Sequence, residues 1–595
     1  MNPLYINKYP LLIYSFALLG FIFTSLDIPE RTTALYTTGI KIMDNGNIVM
    51  TNRNSKDLRI YDNDGKLLST WTPFYKPVTS VTCSGNLLYV TSSHSTGHIS
   101  CIDIDKKKII YETPVGMGAM AAVLSVEKDK VYVCNRYTGT VSEVDAKKGK
   151  VLREVKVLRE PCAACVSPDG KYLFVNNFLP AQRADVDYVA ADVSVIELKG
   201  FTKVKDIKLA NGSNALRGIN ISPDGKYVYV SHNLGRFQVP TSQLQQGWMN
   251  TSAVSIIDAD KLEYIGPVLL DDADRGAAGA WGIAVNNEHI VVAQSGTHDI
   301  SVIDIAAMTA KLENYPNREN LAYDLYFMRD IRKRIPVTGN GPRVLDIHDG
   351  KAFVSTFFSD TLNIVNLVDG SIKIVAYNPD RKESKIDIGE RVFNDAHYCY
   401  QNWQSCNGCH PNEARMDAMN WDLMNDDIGN PKNCKSLLLS HVTPPNMISG
   451  IRKDAETAVR AGFTHIQFSF IPEELAVCVD EYLKSLNPLP SPYLVKGEFS
   501  AKAKAGKIIF EEHGCIGCHN GGFYTDMKMH RIGDDIEFKD GWDTPTLREV
   551  WRTAPYLFDG RAATMEDVFK VHKHGLNEEL SDKELEELVE YVNTL

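Results

Sequence analysis

Two short strings in the last third of the chain carry residues that can attach a metal-bearing porphyrin. They are Cys406-Asn407-Gly408-Cys409-His410 and Cys515-Ile516-Gly517-Cys518-His519. In a helical turn, positions i, i+3 and i+4 share one face, so the two thiols and the imidazole point the same way. The thiols can add to the vinyl groups of a haem while the histidine binds its iron. The sequence therefore predicts two covalent haem c groups. Their attachment residues are Cys406, Cys409, Cys515 and Cys518, and the proximal iron ligands are His410 and His519.

Other uses of a Cys-x-x-Cys pair are a zinc site, a disulfide and a redox-active dithiol. The histidine that directly follows both pairs favours haem over these alternatives. Cys162 and Cys165 form a third pair without the histidine, and we interpret them as small strand residues. Cys399 and Cys434 flank the first motif and, in an oxidising compartment, are candidates for a disulfide.

Length and charge limit the class of protein. A chain of 595 residues predicts two or three domains, and a hydrophobic fraction of 44% is typical of folded globular proteins. The net charge of −11 and the absence of a long basic run from the sequence argue against nucleic acid as a partner.

Residues 1–30 are predicted to be a signal peptide or a membrane anchor. Pro10 to Leu26 is a nearly continuous apolar run that follows a single lysine, Lys8. The run is almost long enough to span a bilayer, and no clear small-x-small cleavage site follows it. Export agrees with the motifs, because c-type haem is attached outside the cytoplasm. We therefore expect a protein of the periplasm or cell envelope, and this segment leaves membrane anchoring open.

Residues 35–378 repeat a pattern of strands and tight turns. In residues 166–175 and 221–230, a Ser-Pro-Asp-Gly-Lys string separates two apolar runs. Pro-Asp-Gly favours a tight turn, and β-branched and aromatic residues favour strands. A third and often a fourth strand follow, and four short strands in a repeat of roughly 35 to 55 residues indicate a propeller blade. We count seven blades, and the pattern resembles the YVTN family of propellers.

Two insertions interrupt the repeat, at Asn233 to Thr251 and at about Lys311 to Arg343. Long propeller loops often carry function, so these segments are candidates to cover the following domain or to form a substrate entrance. Ordinary surface elaboration is the alternative.

From about Arg391 strand alternation stops and helical spacing begins. We predict an all-α domain of two lobes, residues 391–488 and 495–595, each with one Cys-x-x-Cys-His motif. Predicted helices run over Glu473 to Leu486, Ala501 to Glu511 and Asp582 to Thr594. The fold class is therefore multidomain, a seven-bladed all-β propeller followed by an all-α di-haem cytochrome c domain.

The second lobe resembles the corresponding part of bacterial di-haem cytochrome c peroxidases and their MauG-type relatives. The resemblance rests on Gly541 to Val550, Arg552 to Arg561 and Ala563 to Val568. It is looser in the first lobe, around Trp421 to Leu423 and Ser436 to Pro445. In that family one haem reacts with peroxide and the other relays electrons. The relay haem has a Met or Tyr as sixth ligand, in a loop after a Thr-x-Glu-Asp helix.

This chain departs from the family in that loop, because Phe569 to Gly575 contains two histidines and no Met or Tyr. His572 matches the family position most directly. However, His574 follows His519 by the same 55 residues that separate His465 from His410. His465, His572 and His574 are therefore candidate distal iron ligands, with His441 a further candidate for the first haem. Two histidines on one iron would fill its open site, which makes peroxidase activity doubtful while leaving electron transfer intact.

These observations predict haem-based redox chemistry of a peroxidase-like or MauG-like kind, with the propeller as a docking or substrate platform. Expected partners are a small redox protein as electron donor or acceptor and peroxide or a protein substrate. Two alternatives stay open: an electron-transfer protein without chemistry of its own, and a haem sensor or scaffold that binds partners through the propeller.

Overall fold

The computed structural model describes residues 33–93, 95–239, 249–423, 429–532 and 539–595. The predicted signal or anchor at residues 1–30 lies outside these ranges. Within them, no helix is both long enough and apolar enough to cross a membrane.

Residues 37–376 form seven antiparallel sheets of four strands each, and each sheet uses four consecutive strands of the chain. The seven-bladed propeller predicted from the repeat is confirmed. The strands are β1 Thr37–Ile42, β2 Ile48–Asn52, β3 Asp57–Tyr61, β4 Leu67–Trp71, β5 Val78–Ser84, β6 Leu87–Ser92, β7 Gly97–Asp103, β8 Lys108–Val115, β9 Ala119–Leu124, β10 Lys130–Asn135, β11 Thr140–Asp145, β12 Val151–Lys156, β13 Pro161–Val166, β14 Tyr172–Asn177, β15 Asp192–Glu197, β16 Thr202–Lys208, β17 Ser213–Ile221, β18 Tyr227–Gly235, β19 Asn250–Asp258, β20 Glu263–Leu269, β21 Ala280–Val285, β22 His289–Gln294, β23 Asp299–Asp304, β24 Arg332–Pro336, β25 Pro342–His348, β26 Lys351–Thr356, β27 Thr361–Asn366 and β28 Ile372–Ala376.

The Pro-Asp-Gly signal forms the turn that the sequence predicts. Between β13 and β14, Ser167 Oγ donates to Asp169 Oδ1 at 2.5 Å, and the Gly170 N–H donates to the Ser167 carbonyl at 2.8 Å. Gly170 has φ 68°, a left-handed value that favours glycine. The same bonds recur at Ser222 and Asp224 in the next blade.

The first strands of successive blades pack against one another around the axis, and β1 closes the ring against β25. Apolar side chains of neighbouring blades form continuous cores, such as Ile48 and Met50 against Phe353 and Leu362. Closure leaves each sheet covered on its faces, so burial rather than intrinsic strand propensity stabilises the ring.

The insertion at Lys311 to Arg343 packs against the side of the propeller. It contains helix α1 (Ile305–Glu313, which begins just before it), a 3₁₀ turn at Arg318–Tyr323 and strand β24. Leu312, Leu321 and Phe327 complete a core shared with blades five and six. This segment therefore enlarges the propeller, and its last residue, Arg343, donates through Nη2 to Asn394 Oδ1 of the following unit at 3.0 Å. Residues 240–248 of the other insertion lie outside the described ranges.

Residues 385–595 form a second unit, mostly of helices and irregular segments. It also contains two ladders of two-residue strands, so the prediction of an all-α domain is wrong in this detail. Strands of two residues are too short to leave an alternating pattern in the sequence. The elements are α2 Lys385–Asn394, α3 Pro411–Ala414, β29 Asn420–Trp421, β30 Lys432–Asn433, α4 Ala455–Ala461, α5 Glu473–Lys484, α6 Ala501–Glu512, β31 Met529–His530, β32 Trp542–Asp543, α7 Met565–Lys570 and α8 Asp582–Asn593.

This second unit repeats one plan twice. In the first lobe α2 crosses α5, and in the second lobe α6 crosses α8. Each crossing depends on a glycine: a Cβ on Gly389 would lie 1.9 Å from the Cys478 carbonyl oxygen, and one on Gly506 would lie 1.8 Å from that of Glu587. Because only glycine permits this backbone approach, the two crossings are structurally equivalent.

The second unit sits on one face of the propeller. The propeller residues in contact come from turns that follow the second strand of a blade and from segments at the start of a first strand, and both lie on the same face because the two strands are antiparallel. Examples are Arg53 with Glu413 (3.2 Å between Nη1 and Oε1), the Gly296 carbonyl with the Ala396 N–H (2.9 Å) and Tyr36 Oη with Asp387.

Candidate functional site

The first Cys-x-x-Cys-His motif folds as a tight turn. Cys406–Gly408 form a 3₁₀ turn, and the His410 N–H donates to the Cys406 carbonyl at 2.9 Å. The tight turn agrees with the helical turn that the spacing predicts. Both thiols are unbonded.

The expected Cys399–Cys434 disulfide is wrong, because both thiols are free. Cys434 Sγ instead lies 3.2 Å from the Cys409 carbonyl oxygen and 3.5 Å from His410 Nδ1. The ladder of β29 and β30 brings Cys434 against the motif, because Cys434 directly follows β30.

A backbone carbonyl orients His410. Its Nδ1 lies 3.0 Å from the Arg415 carbonyl oxygen, which accepts the ring proton and leaves Nε2 for another partner. Burial lowers the pKa of His410. The ring is therefore held neutral, the state in which an imidazole binds a metal.

The second motif repeats this geometry. Cys515–Gly517 form a 3₁₀ turn, the His519 N–H donates to the Cys515 carbonyl at 2.9 Å, and His519 Nδ1 lies 3.1 Å from the Tyr524 carbonyl oxygen. Burial also lowers the pKa of His519. In both motifs the accepting carbonyl comes five residues after the histidine, so the two sites share one local fold.

Burial has the same effect on the thiols of both motifs. Burial raises the pKa of Cys406 to about 12 and that of Cys409 well above its usual range. The pKa values of Cys515 and Cys518 are also raised by burial. All four thiols are therefore neutral at pH 7, unlike the activated thiolate of a redox dithiol.

The first motif is docked against the propeller. Asn250, at the start of β19, donates through Nδ2 to Gln404 Oε1 at 3.0 Å and lies 3.4 Å from Cys409 Sγ. Arg217 of β17 donates to Asn407 Oδ1 at 2.6 Å, so a propeller side chain contacts the interior of the motif. An apolar cluster around Cys409 joins the two units through Val189, Phe237, Met249, Met419 and Trp421.

The second motif lies away from such contacts. Cβ atoms on Gly514 and Gly517 would meet no heavy atom within 4 Å. Cys515 packs into the apolar core of its own lobe, beside Phe510, Val568 and Leu588. Ile516 is 48% exposed. The outer side of this motif therefore faces solvent.

His574 is the distal candidate that the structure places beside a motif histidine. Its ring centroid lies 6.4 Å from that of His519, with the ring planes at 51°. Burial, with the neighbouring His519 as a second cause, lowers the pKa of His574 to about 4. The chain reaches this position because α7 ends at Lys570 and Lys573 then adopts a left-handed φ of 45°.

Among the described residues, none of the other three candidates forms such a ring pair with a motif histidine. His465 is exposed on a π-helical turn, Gly462–Ile466, that continues α4. His441 Nε2 lies 3.1 Å from Asp480 Oδ1 in a buried pair, so its ring nitrogen already has a partner. His572 is half-buried beside its exposed neighbours Val571 and Lys573. The 55-residue correspondence between His465 and His574 therefore does not give the two rings equivalent surroundings.

A buried network of charges, which sequence reasoning missed, connects the first motif with the second lobe and the propeller. The carbonyl of Arg415 holds His410, and Arg415 Nε donates to Glu549 Oε2 at 2.6 Å. Glu549 also accepts from Arg552 Nη1 at 3.2 Å, and the Arg552 Nε lies 3.9 Å from Glu160 of the propeller. Arg415 and Glu549 are 3% and 0% exposed, so the charge of each is compensated by the opposite charge of the other. No local sequence pattern predicts a contact between residues as far apart in the chain as Arg415 and Glu549.

The arrangement defines a class of protein. A seven-bladed propeller carries a unit of two lobes, and each lobe contains one Cys-x-x-Cys-His motif. No family model matches the chain. The gamma subunit of hydrazine synthase from Kuenenia stuttgartiensis is 25% identical over 284 aligned residues, covering 37% of this chain and 80% of that subunit. The beta subunit of the same enzyme is 26% identical over 208 residues, covering 34% of this chain and 52% of that subunit.

A more distant relative is cytochrome c551 peroxidase from Nitrosomonas europaea, 29% identical over 110 residues, which span 15% of this chain and 33% of that protein. The chain thus spans about half of the beta subunit and a third of the peroxidase. Among solved structures, a chain of Kuenenia stuttgartiensis hydrazine synthase aligns with a TM-score of 0.52 at 20% identity, covering 58% of this chain and 97% of that chain. This likeness supports the fold. Together the relatives suggest a haem-related redox function.

Proposed function

We propose that this chain is an exported di-haem c-type cytochrome that acts in haem-based redox chemistry, with the propeller as its docking or substrate platform. Cys406 and Cys409 would hold one haem and Cys515 and Cys518 the other, with His410 and His519 as proximal ligands. The residues fit this role, because the thiols are free and each histidine keeps Nε2 available. When bound, the haems would supply one-electron redox chemistry, and an iron with a free sixth position could also bind a small molecule.

The relation of His574 to His519 carries the proposal. A metal–imidazole bond is about 2 Å long and the ring centre lies about 1 Å further, so two imidazoles on opposite sides of one metal would have centroids about 6 Å apart. The observed separation of 6.4 Å matches this arrangement. We therefore assign His574 as the distal ligand of the second site. A site filled by two histidines suits electron relay rather than binding of a substrate.

Among the described residues, no histidine ring is paired with that of His410 in the way that His574 is paired with His519. His441 is paired with Asp480 and His465 is exposed. The first site also lies against the propeller, through Asn250 and Arg217. These observations support the first site as the reacting one, with its substrate or protein partner approaching between the two units.

Similarity to both the gamma and the beta subunit of hydrazine synthase supports a related role. We propose that the chain joins in one polypeptide the parts that are separate subunits in that enzyme. Export to the periplasm or cell envelope is supported by the apolar segment near the N-terminus and by the covalent type of haem attachment, and membrane anchoring by that segment is part of the same proposal.

An electron-transfer protein without chemistry of its own is a second candidate, which the surface of the second lobe favours. Ile516, Phe523 and Met527 around His519 are 48%, 38% and 44% exposed, and Val571 near His574 is 63% exposed. Exposed apolar side chains around a redox centre suit brief docking of a small redox protein. In an electron-transfer protein of this kind, the first haem iron would also have protein ligands on both sides.

Spectra of the purified haem-loaded chain separate the two candidates. We expect covalent haem at two per chain, one low-spin signal, and one high-spin signal that changes when peroxide or another small iron ligand is added. Replacing His574 with Ala should convert the low-spin signal to high spin, because the iron loses its sixth ligand. The matched variant His465→Ala should leave both signals unchanged. Two low-spin signals that do not change on addition of peroxide would refute the proposal of a redox enzyme and support the electron-transfer protein.

A further inference from the structure

We propose that His298, Asp395 and His397 bind one divalent transition-metal ion of the zinc class at the seam between the propeller and the helical unit. One ligand atom from each residue lies within 4.8 Å of the other two. Two imidazoles and one carboxylate, with a position left for water, form a donor set that zinc accepts. This inference is independent of the haem motifs and of the proposed function.

The propeller contributes His298 from the turn between β22 and β23. Its backbone N–H donates to the Gln294 carbonyl at 3.0 Å, and its carbonyl accepts from the Val337 N–H at 3.0 Å. The residue has φ 56°, a left-handed conformation that the two flanking strands maintain. The imidazole is therefore anchored to a rigid part of blade six.

The helical unit contributes Asp395 and His397 from the segment just after α2. Asp395 Oδ1 accepts from the His397 N–H at 2.9 Å, which leaves Oδ2 directed at His298 Nε2, 3.3 Å away. The adjacent Ala396 N–H donates to the Gly296 carbonyl at 2.9 Å. This backbone bond holds the two contributing segments in register without any metal.

The ring geometry fits two ligands on one ion. The centroids of His298 and His397 lie 4.9 Å apart, with ring planes at 26°. With metal–nitrogen bonds of about 2 Å and a tetrahedral angle, two imidazole centroids would lie about 5 Å apart. Small movements of the side chains would therefore complete the coordination.

The outer contact of His298 suits a metal ligand. Its Nδ1 lies 3.1 Å from the Ser295 carbonyl oxygen and 3.1 Å from the Gly341 backbone nitrogen. With a metal on Nε2, the Nδ1–H would donate to the Ser295 carbonyl, as second-layer partners of metal-bound histidines commonly arrange. Without metal, the Gly341 N–H can donate to Nδ1 while the proton on Nε2 faces Asp395.

The site is accessible from one side. The His397 side chain is 43% exposed, whereas the Asp395 side chain is 9% exposed. An ion can thus enter from solvent past His397, and a water can occupy its outer position. Binding would clamp blade six to the segment that leads into the Cys406 motif.

Zinc binding to the full-length, haem-loaded chain tests the proposal. After removal of loosely bound metal with a chelator, calorimetric titration with zinc chloride should show one site per chain, and the metal content after gel filtration should agree. His397→Gln lies at the surface and should fold normally, and we expect it to weaken binding by about 100-fold. Asp395→Asn, which keeps the shape of the side chain, should do the same.

His348→Gln is the matched control, because His348 Nε2 lies 3.2 Å from Asp349 in an exposed pair outside the cluster. It should leave zinc affinity unchanged, and circular dichroism should show that all three variants are folded. Failure of the parent chain to bind one zinc would overturn the proposal. Equal affinity of the parent and the folded His397→Gln and Asp395→Asn variants would do so too.

Discussion

The two Cys-x-x-Cys-His regions have nearly the same backbone and very different surroundings. Each histidine bonds through Nδ1 to a carbonyl five residues later, at 3.0 Å for His410 and 3.1 Å for His519. The first region is enclosed by propeller side chains, including Asn250 and Arg217. The second packs into the core of its own lobe and faces solvent. A repeated motif therefore does not imply a repeated function, because the neighbours set access and electrostatics.

The two lobes also differ in the segment that follows the short helix α4 or α7. In the first lobe, α4 continues into a π-helical turn that buries Phe463 and leaves His465 exposed. In the second lobe the chain leaves α7 at Lys570, and the left-handed Lys573 lets His574 turn toward His519. One difference in how a helix ends thus separates an exposed histidine, His465, from one that lies beside a motif histidine, His574.

Removal of the thiols should have the largest effect and should separate the two regions. In Cys515→Ala/Cys518→Ala the haem content, measured as the pyridine haemochrome, should fall from two per chain to one, with the propeller undisturbed. In Cys406→Ala/Cys409→Ala we expect the same loss together with faster amide exchange near Asn250, because the docked turn loosens.

Cys478→Ala is the control for these thiol variants, because Cys478 is buried in α5 outside either motif. It should keep both haems. Equal amide exchange in the two double variants would contradict the asymmetric docking.

The buried pair of Arg415 and Glu549 should come next in size. Glu549→Gln leaves a guanidinium buried without its charge partner, which should cost about 3–5 kcal/mol of unfolding free energy. Glu413→Gln removes a pairing of Arg53 in which the two side chains are 33% and 49% exposed, and it should cost less than about 1 kcal/mol. Denaturant titration measures both, and similar losses would show that the Glu549 network does not join the lobes.

The two helix crossings should respond alike. Gly389→Ala and Gly506→Ala each place a Cβ within 2 Å of a backbone oxygen of the facing helix, so each should cost about 3 kcal/mol. Gly462→Ala, where a Cβ would meet no heavy atom within 4 Å, should change the unfolding free energy by less than about 1 kcal/mol. Thermal unfolding followed by circular dichroism measures these differences, and a large gap between the two crossing variants would break their equivalence.

The smallest predicted effect isolates propeller docking. Asn250→Ala removes the bond to Gln404 and the contact with Cys409, which should cost about 1 kcal/mol. In a spectroscopic redox titration the potential of the first haem should shift while that of the second stays constant. Gln182→Ala on the propeller surface is the control and should move neither potential. A parallel shift of both haems after Asn250→Ala would contradict the separation of the two sites.

Much of this protein was predictable from local sequence signals. The Ser-Pro-Asp-Gly turns predicted the blade repeat, because their hydrogen bonds lie within five residues. Predicted helices at Glu473 to Leu486, Ala501 to Glu511 and Asp582 to Thr594 agree with α5, α6 and α8 to within two residues at their ends. The motif spacing likewise predicted a helical turn in each string, and Cys406–Gly408 and Cys515–Gly517 form 3₁₀ turns.

Only the tertiary structure decided which residues meet across long distances in the chain. It distinguished His574 from His465 and His441, because the path after α7 and the pairing with Asp480 depend on packing rather than spacing. It also brought Arg415 to Glu549 and His298 to Asp395, over separations of more than ninety residues. Such contacts arise when whole elements pack, so residue type and local periodicity determined the parts, and burial between them determined their partners.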